Sequence, residues 1–133
     1  MLVHKFTFEF RKVFSQLMRY LGAALLIWIA IIHFHLWLEG YRDIPIVGVL
    51  FLGNSIAALA LAIVVFVWPK RFVGMIGVAF SLATLFSLLY SINFGLFGFK
   101  ESSGASFVAI SIVIETMASF CLLLWWRIFP SRH

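Results

Sequence analysis

At 133 residues, with 64% hydrophobic and 11% charged residues and a mean hydropathy of +1.10, the chain departs from soluble globular composition, in which about a quarter of residues are charged. It reads as an all-α membrane protein with one domain, lipid replacing water around most of its outer surface. The net charge of +5 does not indicate nucleic acid, because the cationic residues flank apolar runs and form no stripe. A single cysteine, Cys121, excludes an internal disulfide and any two-cysteine redox motif.

In residues 1–20, Phe6, Phe10, Val13, Phe14 and Leu17 recur at helical spacing, while Lys5, Lys12, Gln16 and Arg19 occupy other faces. This predicts a short amphipathic interfacial helix on the anionic cytoplasmic leaflet, with a docking helix for a partner protein as the competing reading. Residues 21–133 then form the transmembrane domain. Its four apolar segments, 21–38, 45–68, 72–95 and 107–126, are each long enough to cross about 30 Å of hydrocarbon.

Between the first two spans, Asp43 is expected to cap the second helix and Pro45 to sit in its first turn. Pro69-Lys70-Arg71 makes a tight turn to the third span. The glycine- and serine-containing loop 96–106 is expected to be mobile. On the third span, Ala79, Ala83, Ser87 and Ser91 form a ladder of small residues that predicts close helix packing. Asn54, Ala58 and Ala62 on the second span and Ser111, Glu115 and Ser119 on the fourth form comparable stripes. Trp37 and Tyr41 mark one interfacial belt and Trp68, Trp125 and Trp126 the other, with the deeper Trp28 assigned to packing.

Lys5, Arg11, Lys12, Arg19, Lys70, Arg71, Arg127 and Arg132 fall on one side of this layout; only Arg42 and Lys100 fall on the other. The bias predicts an N-in/C-in four-transmembrane-helix bundle and argues against dual topology.

Glu115 lies in the middle of the last apolar run, where a carboxyl requires a partner or a cavity. From the predicted helix ends, His33 is about 8 Å deep, Asn54 about 13 Å, Ser91 about 6 Å and Glu115 about 12 Å, all in the outer half. Glu115, His33, Asn54, Tyr90 and Ser91 are therefore candidates for a ligand or proton site. A purely structural reading, with Glu115 protonated or hydrogen-bonded to Asn54 or His33, stands beside the functional one. In His33-Phe34-His35 the two imidazoles point about 200° apart and cannot chelate one ion on a regular helix, so no metal site is assigned. No second span supplies a histidine for bis-histidine haem ligation, and no cofactor is expected. His35 joins Trp37, Tyr41 and Arg42 as outer-loop candidates.

The segment from His33 to Asn54, HFHLWLEGYRDIPIVGVLFLGN, resembles the signature of a group of small bacterial four-helix integral membrane proteins with a pattern close to HxHLWxxGYRxIPxxGxLFL. The four-span layout and the loop from Gly95 to Phe99 extend the likeness loosely. The resemblance implies the fold and a bacterial membrane location; the group has no assigned activity, so no catalytic residue is carried over.

With no nucleophile and base pair, no phosphate loop and no metal motif, the leading expectation is a non-enzymatic small integral membrane protein, an accessory subunit of a larger membrane complex. A small transporter or proton-coupled ligand-binding protein using the outer-half cluster is the alternative. A membrane redox or quinone-binding protein using Tyr90 and the histidines is the weaker one. Expected partners are the lipid bilayer of the bacterial cell membrane, and other membrane subunits or further copies of the chain.

Overall fold

Nothing in the first 38 residues stops a helix: the segment holds no proline, and its one glycine, Gly22, is flanked by strong helix formers. In the computed structural model, which describes residues 1–102, 104, 105 and 107–128, these residues form a single helix, α1 (Leu2–Leu38). At 37 residues it is about 55 Å long, well over the thickness of a hydrocarbon core. The segment expected to be a separate interfacial helix is thus helical but continuous with the first span, because no breaker lies at the junction. Ser103, Ser106 and residues 129–133, including the Arg132 of the charge count, lie outside the described residues.

After α1 the backbone turns at Gly40 (φ 132°) into a short 3-10 turn, Tyr41–Asp43. Helix α2 (Val47–Val67) begins later than expected, with Ile46 at its N-cap (φ 67°) and no side-chain cap. Asp43 does not cap it, and Pro45 precedes the first turn. Gly48 lets α2 pass close over this corner: a Cβ there would lie 2.6 Å from the backbone carbonyl oxygen of Arg42. Helices α3 (Arg71–Asn93) and α4 (Val108–Ile128) complete the set. All four are long and apolar enough to cross a membrane, and the protein is a multi-pass membrane helical bundle.

Helix α1 packs along both α2 and α4, and α3 packs along α4, whereas α2 and α3 touch only lightly. In lipid such packing rests on shape and dispersion, since tails outside the bundle are as apolar as the side chains within it. Leu122 of α4 is a central knob. A Cβ on Gly22 of α1 would lie 2.6 Å from it and one on Gly77 of α3 2.9 Å from it. The neighbouring Trp125 is only 1% exposed and packs over Gly74. It is a core residue and not part of the interfacial belt, while Trp28, expected in the packing, is exposed. Cys121 is buried in the same core.

The small ladder of α3 is corrected. Ala79, Ala83 and Ser87 are exposed and only Ser91 is buried; the packed face carries Val73, Gly74, Gly77 and Ser81. Each four-residue step overshoots a helical turn by about 40°, so a ladder starting on the outer face reaches the packed face only at its last rung. The stripes on the other helices face inwards, with Ala58 and Ala62 on α2 and Ser111, Glu115 and Ser119 on α4 all buried.

Polar ties among the described residues also join helices. Ser55 donates to the backbone carbonyl of Ala30 at 2.7 Å. Arg19, read in the sequence as a headgroup cation, is buried and its Nη1 donates to the carbonyl oxygens of Val65 (3.4 Å) and Phe66 (3.0 Å). Those are carbonyls of the last turn of α2, which lack helical partners and sit at the negative end of the helix dipole.

Candidate functional site: a polar cavity at one end of the bundle

The α1–α2 and α3–α4 connections are tied together at one end of the bundle. Leu96 to Phe99 closes a two-residue turn, with reciprocal backbone hydrogen bonds of 2.6 and 2.9 Å. Phe97 (φ 51°) and Gly98 (φ 78°) both take the left-handed region, the type I′ geometry. From there the chain returns to α3: the Glu101 backbone N–H donates to the carbonyl and to the side-chain Oγ of Ser91, each at 3.1 Å. The Tyr41 hydroxyl, in the other connection, donates to Glu101 Oε2 at 2.7 Å. The Tyr41 ring lies 4.6 Å from that of Phe51 and 5.6 Å from that of Phe99. Burial, with the Glu101 carboxylate beside it, raises the pKa of the Tyr41 phenol. The part of the loop expected to be mobile that runs from Leu96 to Ser102 is therefore held in place.

Beneath this lid lies a cavity of about 90 Å³, room for more than one water molecule. All four helices contribute: His33 from α1, Val47, Leu50 and Phe51 from α2, Thr84, Ser87 and Ser91 from α3, and Ser111 and Glu115 from α4. Glu115 is 1% exposed, and its Oε2 has no hydrogen-bond partner. His33 Nδ1 lies 2.8 Å from the carbonyl oxygen of Ile29. A carbonyl can only accept, so Nδ1 carries the proton and Nε2 is left as an acceptor in the neutral ring. The imidazole packs on Phe51 with 5.1 Å between ring centres. The HFHLWLEGYRDIPIVGVLFLGN segment thus supplies one wall of the cavity, through His33, Leu36, Tyr41, Val47, Leu50 and Phe51.

Of the expected cluster, His33, Ser91 and Glu115 line this one space, and Tyr41 joins them from the outer-loop set. Asn54 does not. It is half-buried on α2 a turn below Phe51, where the α2 wall ends. Tyr90 is 53% exposed and pairs with Phe94, since one residue along a helix from Ser91 is a rotation of about 100°. The neighbour facing Glu115 is Thr84 of α3 and not Asn54, because α4 runs against α3 and α1 and not against α2; His33 of α1 lines the same cavity as Glu115. His35 is exposed and meets the Phe107 ring edge-on at 5.3 Å; Trp37 stacks on Phe34 at 5.9 Å; Arg42 is exposed.

Sequence reasoning missed Thr84 and Glu101. Thr84 shares a helical face with Ser81 and Ser91 at three- and four-residue steps, a signal that was available. Glu101 carries no such mark, because a glutamate in a serine-rich loop reads as solvated. Among the described residues no three His, Cys, Asp or Glu side chains come together as a metal site. The chain matches no family model, no curated protein and no solved structure.

Proposed function

We propose that this chain is a non-enzymatic ligand-binding protein of the bacterial cell membrane, with both termini cytoplasmic, whose outer-half cavity is a small-solute or proton-coupled site. The observation that carries this reading is Glu115: a carboxyl buried to 1% exposure with one oxygen unpartnered, facing a cavity lined by other polar side chains. A carboxyl serving only to hold helices together would be expected to spend both oxygens on neighbours, because an unsatisfied buried group costs about 1 to 3 kcal/mol. Intramembrane acids commonly mark solute and proton pathways.

The accessory-subunit reading keeps separate support. Every residue from Met1 to Val13 is exposed, including Phe6, Phe8 and Phe10, so this end of α1 offers an apolar and basic surface to a partner or to lipid. The quinone reading relied on Tyr90 and weakens because that side chain faces away from the cavity.

Native mass spectrometry of protein extracted in mild detergent separates these readings. A small-molecule adduct is expected on the wild type and should be lost in Ser111→Trp, which fills the cavity. A polypeptide held at fixed stoichiometry, with no small-molecule adduct in either form, would replace the ligand reading with the accessory one.

A further inference from the structure

The hydrogen bonds around the cavity show what kind of group it lacks. The His33 Nδ1–H is given to the Ile29 carbonyl and the Thr84 hydroxyl to the Ser81 carbonyl at 2.9 Å. The Tyr41 hydroxyl goes to Glu101, and the Ser91 hydroxyl to the Phe99 carbonyl at 3.4 Å. Ser87 and Ser111 also line the cavity, and each hydroxyl can donate or accept. On the acceptor side stand Glu115 Oε2, without a partner, and the Nε2 edge of His33. Two carboxyl side chains, Glu101 and Glu115, line the space, and no lysine or arginine does. The ionisable side chains of the lining are thus acids and an imidazole, with no cation beside them.

Its remaining walls are apolar and aromatic, with Phe51, Phe99 and Phe107 among them, surfaces that suit an alkyl chain and the flank of an organic cation. The mouth can be placed from the lining residues that are themselves exposed. Three are exposed, Leu50 of α2 (44%), Ser87 of α3 and Phe107 just before α4 (40%); the first two flank the seam between α2 and α3, the most lightly packed contact between neighbouring helices. That seam opens on the lateral face of the bundle, while the Tyr41 to Glu101 tie covers the cavity at its end.

We infer that the cavity takes a small lipophilic primary amine in its ammonium form, entering between α2 and α3, with its N–H groups donating to Glu115 and His33. An ammonium has three donors and no acceptor; Glu115 Oε2, the neutral imidazole and the hydroxyl oxygens of Ser87 and Ser111 can each accept from it, and on binding Glu115 can supply the matching carboxylate. This rests on the ligand-binding reading above and adds the class of ligand.

The test uses the full chain in lipid nanodiscs, with calorimetric titration against empty nanodiscs as background. The probes are hexylammonium, hexyltrimethylammonium, which keeps the charge without an N–H, and methyl butyl ketone, which only accepts. Saturable binding of hexylammonium is expected, with both other probes about ten-fold weaker or worse. Glu115→Gln should weaken hexylammonium by a similar factor while circular dichroism shows unchanged helix content. If that variant does not fold, the order of the three probes on the wild type decides the matter alone. Equal binding of the two cations would overturn the requirement for an N–H donor and with it the proposal. Preference for the ketone, abolished by Ser111→Trp, would overturn the ammonium while leaving the cavity a ligand site. No saturable binding of any probe, with no adduct by native mass spectrometry, would remove both.

Discussion

Tyr41 and Glu101 show how much a single pair can decide in a small bundle. A phenol from one outer connection and a carboxylate from the other close the cavity from above, and Glu101 is 7% exposed. Removing the hydroxyl in Tyr41→Phe leaves the rings packed but takes a donor from a buried carboxylate. The tie is partly open to solvent, so a loss of about 1 kcal/mol is expected. The pH dependence has a definite sign. The folded protein holds the phenolic proton more tightly than the unfolded chain does, so the contribution is complete below the ordinary tyrosine pKa of about 10. It fades as pH rises from there towards the raised folded value. Thermal unfolding in detergent at pH 8 to 11 should show the wild type losing its advantage over Tyr41→Phe towards the alkaline end. A constant difference across that range would mean that the phenol and Glu101 are not coupled.

The helices make a different point about packing. The face of α3 that meets α4 is the glycine face, where Gly77 leaves room for Leu122, and the alanine ladder beside it is exposed. Both faces place small residues at similar spacing, and only the bulk of the opposing side chain separates them. A matched pair of substitutions tests this. Gly77→Leu should destabilise the bundle by about 1 to 3 kcal/mol through overpacking, offset by up to about 1 kcal/mol of improved helix propensity. Ala83→Leu on the exposed face should stay within about 0.5 kcal/mol. Detergent melting curves give the comparison, and a larger loss for Ala83→Leu would place the helix contact on the other face. Arg19 illustrates a second way in which a side chain departs from its sequence reading. The long side chain that counts towards the cytoplasmic charge also satisfies the last carbonyls of α2.

For the molecule as a whole, orientation decides which leaflet holds the cavity. The eight-to-two distribution of lysine and arginine predicts that the cavity lies in the outer leaflet half, away from the cytoplasm. Ser102 is exposed in the connection between α3 and α4. In a Cys121→Ala background, Ser102→Cys should be labelled by a membrane-impermeant maleimide added to intact cells. Labelling only after the membrane is opened would reverse the orientation and place the cavity towards the cytoplasm.

What could be read from the residues follows from the bilayer. Where no water reaches the backbone, each apolar run must satisfy its own N–H and C=O groups, so run length and composition settle helix number and extent. The observed ends differ from the expected spans by a few residues, apart from the unbroken extension of α1. Glu115 announced itself for the same reason, as a carboxyl too costly to leave in lipid. Which faces meet was not legible. Lipid tails and buried side chains are equally apolar, so hydropathy gives no contrast between the inside of a membrane bundle and its outside. The exposed alanine ladder, the buried Trp125, Thr84 as the neighbour of Glu115 and the exclusion of Asn54 from the cavity were all decided in three dimensions. The reason is the fit of large side chains over glycine, a quantity that belongs to pairs of helices and not to any one run of sequence.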